Sequence, residues 1–236
     1  MGDRRRARGR RGGGPPRRGG PRPTTRRSTL PKEVVEEVRA TARRGRVEDV
    51  LGLLESSVAS LEKGKSAEAQ RLAEQAKGLA SRSGAVREIL GLAYYEGKRF
   101  REALRELLAY RRISGRADHN HLIADAHRAL GSPEKAVPLA REALRAKIPP
   151  ESKAEAIVVG GAALADLERY DEAVALLRAF RTNPDAARPF DLRVWYVLGD
   201  VLQRAGRSRE AEREFRRILR HDADAFDVAE RLAALS

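Results

Sequence analysis

From Pro31 onward the apolar positions recur at helical spacing. KEVVEEVRATAR and VEDVLGLLESSVASLEKG each gather Val and Leu onto one face, and the same period runs to the end of the chain. No run alternates apolar and polar residues long enough to argue for a strand, so an all-α protein is expected. Short turns punctuate the helices at Lys63-Gly64, Glu96-Gly97-Lys98, Gly131-Ser132 and Ala205-Gly206, where glycine can close a helix in the left-handed conformation.

One of these helices carries a glycine at its centre, in WYVLGDVLQRAGRSREAEREF, Trp195 to Phe215. A glycine there costs about 1 kcal/mol relative to Ala, so some neighbour must need the missing side chain. Gly199 is followed twelve residues later by Ala211, and pairs of small residues at that spacing occur five times: Ser57 and Ala69, Gly91 and Ala103, Ala124 and Ala136, Gly161 and Ala173, Gly199 and Ala211. Their second members lie 34, 33, 37 and 38 residues apart, the period of a helix-turn-helix repeat with small loop insertions. In four of the five, Glu precedes the second member: Glu68, Glu102, Glu172 and Glu210. The spacing predicts paired helices crossing closely, with the alanine of the second meeting the small residue of the first.

The pattern resembles the tetratricopeptide repeat, which places Trp, Leu, Gly and Tyr on one helix and Ala, Phe, Ala and Pro on or after the next. Trp195, Leu198, Gly199, Ala211 and Phe215 carry it in the last repeat, and Leu90, Gly91, Tyr94 and Ala103 in the second. Departures are Ser56-Ser57 in the first repeat, His127 at the Tyr position of the third, and Gly160-Gly161 without a Trp in the fourth. Pro138 falls beyond the first turn of the third repeat's second helix and should kink it. More loosely, VREILGLAYYEGKRFREALRELLAYRRISG is similar to Arg- and Ala-rich tetratricopeptide proteins of high-GC actinobacteria. The resemblance implies a right-handed α-solenoid of about five repeats over residues 46 to 222, with KEVVEEVRATAR as a preceding helix and DAFDVAERLAALS as a closing cap.

It also implies where binding occurs, on the concave face that the first helices line. The outward positions there are Glu88, Tyr95, His121, Asp125, Arg128, Arg193, Tyr196 and Asp200. Family members that grip a C-terminal carboxylate use Lys and Asn on these faces. Here the matching positions of the first repeat are Leu54 and Val58, so no such clamp is expected.

Charge changes the picture at one end. The chain carries a formal +14, but residues 1 to 30 hold eleven Arg against one acid, Asp3, which is +10 and leaves +4 for the other 206 residues. MGDRRRARGRRGGGPPRRGGPRPTTRRSTL has almost nothing apolar to offset the entropy of ordering, and is expected to be a disordered tail ahead of a repeat domain over residues 31 to 236. Its Gly and Pro exclude the amphipathic helix of a mitochondrial presequence. Arginines such as Arg4, Arg5, Arg6, Arg8, Arg10, Arg11, Arg17 and Arg18 could attach to RNA or another polyanion through phosphate charge and stacking. Cysteine is absent, which removes thiolate chemistry and fits a reducing cytoplasm, and no apolar run approaches the roughly 20 residues of a membrane span.

Candidate chemistry is thin. DHNHLIADAH, residues 118 to 127, places His121 and Asp125 on one helix face as a pair of metal ligands, but His127 falls on the other side and no third ligand converges. The HNH string lacks the strands of the nuclease motif, and Lys63-Gly64-Lys65-Ser66 lacks both the first glycine and the preceding strand of a phosphate loop. The expectation is a non-enzymatic adaptor without metal or cofactor, binding an unidentified protein partner, with an RNA- or ribosome-associated factor tethered by its tail as the alternative.

Overall fold

The computed structural model of the chain describes residues 28–235. Twelve helices follow one another there: α1 Lys32–Thr41, α2 Val47–Glu62, α3 Ser66–Leu79, α4 Gly84–Glu96, α5 Phe100–Ser114, α6 Asn120–Ala129, α7 Ala136–Arg145, α8 Pro150–Asp166, α9 Tyr170–Ala179, α10 Pro189–Arg204, α11 Ser208–Leu219 and α12 Val228–Leu235. No strand occurs among the described residues. Five helix pairs, α2/α3, α4/α5, α6/α7, α8/α9 and α10/α11, stack into an α-solenoid, with α1 ahead of them and α12 closing the far end.

The turns reveal the repeat more sharply than the small pairs do. Seven residues after each small residue the chain enters the left-handed region: Gly64 at φ 68°, Lys98 at 57°, Gly131 at 72°, Glu168 at 59° and Gly206 at 74°. Three of the five are glycine, which adopts this conformation without strain. At the second turn the left-handed residue is Lys98, whereas Gly97 sits at φ −80°. A Cβ at Gly97 would meet the Gln70 amide, which donates to the Ala93 carbonyl, so that side chain would have to shift.

The recurrent Glu before each alanine also has a structural account. Arg99, Arg169 and Arg207 precede α5, α9 and α11, and each pairs with the Glu three residues on: Glu102, Glu172 and Glu210. Two of these acids also receive an arginine from the preceding repeat, Arg141 to Glu172 at 3.1 Å and Arg178 to Glu210 at 3.0 Å. A carboxylate in a helix's first turn is further favoured by the helix dipole. These exposed pairs stitch successive second helices together without burying charge.

At the close crossings, the residue that fills the space beside each glycine differs from the expected alanine. A Cβ at Gly199 would lie 2.5 Å from the Phe215 ring, one at Gly91 would lie 2.7 Å from Leu107, and one at Gly161 would lie 2.7 Å from Leu177. The large side chain sixteen residues on takes the place, while the alanine twelve residues on is itself fully buried. Pro138 does not kink a helix interior either. A 3-10 turn over Pro133–Lys135 precedes α7, so Pro138 stands in the first turn of α7, where its missing N–H has no helical partner to lose.

Two apolar clusters meet within α5. One runs from Val38 to Ala103 and joins α1 to the first two repeats; the other runs from Leu104 to Val228 and holds repeats three to five with the cap. The first half is fixed by polar contacts as well. Glu37 of α1 accepts the Gly84 and Ala85 N–H groups and the Ser83 hydroxyl, which caps α4. Beneath α4, Glu106 of α5 is fully buried and bound by Lys77, Arg87 and Arg105. Burial would raise its pKa, but the hydrogen bonds from Arg87, Lys77 and Arg105 hold the carboxyl below the usual range.

Candidate functional site

The face formed by α2, α4, α6, α8 and α10 gathers the candidate residues, and its two halves are built differently. In repeats three to five a ladder of alternating acids and arginines runs along it. The Tyr95 hydroxyl donates to Asp125 at 2.7 Å, and Arg128 reaches Asp125 at 3.4 Å and Asp166 at 2.8 Å. Arg204 stands between Asp166 at 3.7 Å and Asp200 at 4.0 Å. Arg231 of the cap binds Asp200 at 2.7 Å and Asp227 at 3.1 Å, and Asp227 accepts the Tyr196 hydroxyl at 2.6 Å. Arg193 pairs with Glu155 beside it at 3.1 Å.

Electrostatics follow from that ladder. Burial, then the hydrogen bond to Asp125, raises the Tyr95 pKa, so the hydroxyl remains a proton donor. Burial opposes the Arg231 charge, but its bonds to Asp200 and Asp227 raise its pKa overall. Arg231 also lies over the Tyr196 ring, 5.1 Å from the centroid. Asp166, Asp200 and Glu155 each meet a cation from a neighbouring helix and Asp125 meets Arg128 of its own, which leaves little charge on these groups to attract a ligand.

Sequence position placed Tyr95, Asp125 and Arg128 together, and they touch directly. Asp200 and Tyr196 join them only through Arg204, Asp166, Arg231 and Asp227, none of which was singled out. Asp166 and Arg204 stand five residues after Gly161 and Gly199, at equivalent points of their repeats, which is the signal that could have found them. Arg231 and Asp227 belong to the cap segment, outside the repeat register.

Glu88 binds His119, not His121, with Oε1 2.7 Å from Nε2. His121 is largely enclosed, and burial, then the neighbouring His119, lowers its pKa to about 4, so it is neutral at physiological pH. Its Nδ1 has no hydrogen-bond partner among the described residues. The ligand atoms that converge are those of Glu88, Asp118 and His119, within 4.8 Å of one another, and not the pair His121 and Asp125. Each is already engaged: Glu88 with His119, and Asp118 with Arg116 at 2.7 Å and the Tyr110 hydroxyl at 3.2 Å. These contacts account for the convergence.

In repeats one and two the face is a cleft of about 470 Å³. Its floor is apolar, with Leu30, Val34, Val58 and Leu92, and its carboxylates are Glu55, Glu62 and Glu88. No Lys or Arg lines it among the described residues. Leu54, expected on this face, is instead fully buried in the core, and Val58 alone of that pair faces the cleft. The tail arginines from Arg4 to Arg18 lie outside the described residues.

Comparison with known proteins places this geometry in a class. Residues 122–222 match the family model described as tetratrico peptide repeat. Among solved structures, YrrB, described as a TPR protein with an unusual peptide-binding site, superposes with a TM-score of 0.56 at 17% identity over 75% of this chain and 89% of its own. A thermophilic TPR protein of Thermus thermophilus gives 0.56 at 19% identity over 79% and 98%. A Podosopora anserina protein with nearly identical TPR-like repeats gives 0.57 at 22% over 74% and 96%. At these identities the likeness is one of fold, a tetratricopeptide solenoid. A search of curated proteins found no match. No helix among the described residues is long and apolar enough to cross a membrane.

Proposed function

We propose that this protein is a non-enzymatic adaptor that holds a segment of a partner protein against its first-helix face, chiefly in the cleft of repeats one and two. The observation that carries the proposal is the asymmetry of that face. In its second half Asp125, Asp166, Asp200 and Glu155 each have an arginine, whereas its first half offers apolar side chains beside carboxylates with no Lys or Arg among the described lining residues. A basic, partly apolar segment suits such a surface: arginine stems cover Val58 and Leu92 while the guanidinium groups reach the carboxylates. The peptide-binding site attributed to YrrB gives the reading a precedent on the same fold. A cytoplasmic location and the likeness to actinobacterial Arg/Ala-rich members rest on sequence alone. So does RNA attachment through the eleven tail arginines, which would show as affinity falling steeply with salt.

The test is capture from native lysate by the full chain, by a Val58→Arg, Leu92→Arg variant, and by Leu108→Arg on α5 as a surface control. Partners retained by the control and lost by the cleft variant support the reading. The same set captured by all three overturns it.

A further inference from the structure

We propose that the chain's own arginine-rich N-terminal segment, residues 1–27, occupies the cleft of repeats one and two, so that a partner segment must displace it. The inference rests on reading the first-helix face as the binding surface, and three observations carry it.

The first is where the described chain begins. The Ser28 hydroxyl donates to Glu55 at 2.6 Å and the Thr29 N–H to the same carboxylate oxygen at 2.7 Å. Thr29 and Leu30 then line the cleft, so the described part of the chain begins at its rim. The second is charge. Residues 1–27 contain eleven Arg and one acid, while the described lining of the cleft holds three glutamates and no Lys or Arg. Glu62, and Glu96 further along α4, have no cation within ion-pair distance among the described residues. The third is contrast with repeats three to five, where Asp125, Asp166, Asp200 and Glu155 carry their own arginines. Glu62 thus offers a carboxylate without a cation among the described residues, in the cleft where the described chain begins.

Reach is no obstacle. Twenty-seven residues span up to about 90 Å when extended, against roughly 40 Å from α2 to α10 at ordinary helix spacing. Tethering supplies an effective concentration in the millimolar range, so weak contacts suffice to fill the cleft while a stronger partner segment still displaces it. Exposed ion pairs at the rim make the occupancy sensitive to salt.

The absence of cysteine permits a direct test on the full chain. Ala7→Cys is labelled with a nitroxide, and paramagnetic broadening of backbone amides is mapped by NMR. The proposal expects broadening at Val58, Ala59 and Leu92, with amides of α9 spared. It expects loss of that broadening at high salt, and when Arg4, Arg5, Arg6, Arg8, Arg10 and Arg11 are changed to Gln, a variant that leaves the repeats untouched. Glu62→Arg with Glu96→Arg should abolish it from the other side. Uniform broadening, none at all, or broadening centred on α8 and α10 would overturn the proposal. So would broadening that appears when labelled chains are mixed with isotope-enriched unlabelled ones, which would assign the contact to a second copy. This readout needs no partner, so a vacant cleft here and a failed capture above are separable results.

Discussion

In repeats three to five the acids of the first helices are met by arginines, Asp125 by Arg128 of its own helix and Asp166 and Asp200 by arginines of neighbouring helices, as far as the cap at Arg231. In repeats one and two the cations are drawn elsewhere: Lys77, Arg87 and Arg105 converge on Glu106, under the first-helix layer. The same residue types therefore give a self-satisfied surface in one half and an acidic, apolar cleft in the other. A repeat architecture permits this because each pair of helices packs only on its neighbours, so surface charge can be reassigned repeat by repeat without altering the interface between helices.

The largest expected effect breaks the first half from beneath. Glu106→Ala strands Lys77 and Arg87 around an empty position and should cost about 3 kcal/mol in urea unfolding; a loss below about 1 kcal/mol would show that these charges are solvated. Next comes Gly199→Leu, which forces a side chain into the space of the Phe215 ring and should destabilise by about 1–3 kcal/mol. Gly52→Ala in α2 should do the opposite and stabilise by about 0.5–1 kcal/mol, because a Cβ there meets nothing within 4 Å. Opposite signs for two helical glycines would sharpen the account, and equal signs would break it.

Arg231→Met removes the cap's hold on Asp200 and Asp227. These groups are partly exposed, so the loss should be only about 1 kcal/mol and should shrink with added salt. Glu62→Arg in the cleft should leave thermal stability within about 0.5 kcal/mol, since no ion pair among the described residues holds it.

The smallest effect at neutral pH belongs to His121. Its folded pKa, about 4, lies below the ordinary 6.5, so the unfolded chain binds the extra proton and stability should fall as pH drops from about 6.5 toward 4. His121→Gln should flatten that slope in pH-dependent melting. Glu106, whose pKa is also depressed, then contributes a further loss below the ordinary glutamate range.

The order of the helices was legible because the small residues, the acids that follow the turns and the turns themselves share one period. The contact at Gly199 was misassigned for a physical reason: the ring of Phe215 reaches across from one turn beyond Ala211, and spacing alone does not report side-chain length. Tyr95, Asp125 and Arg128 could be read because they share a face of adjacent first helices. Asp166 and Arg204 were missed because they stand one step round the helix, and Arg231 because α12 lies outside the repeat. The cleft was hidden in another way. Leu30 and Leu92 look like core residues in sequence, and only the folding of residues 28–31 over α2 shows that they border an open surface.

The most direct test of the central claim is site-specific photo-crosslinking of the full chain, with benzoylphenylalanine placed in turn at Leu92, at its repeat-four equivalent Ala162, and at the exposed Leu108 of α5. Adducts concentrated at Leu92, joined to the chain's own first residues or to a displacing partner segment, are the result expected of an acidic apolar cleft. Adducts equally abundant at all three positions, or strongest at Leu108, would contradict it.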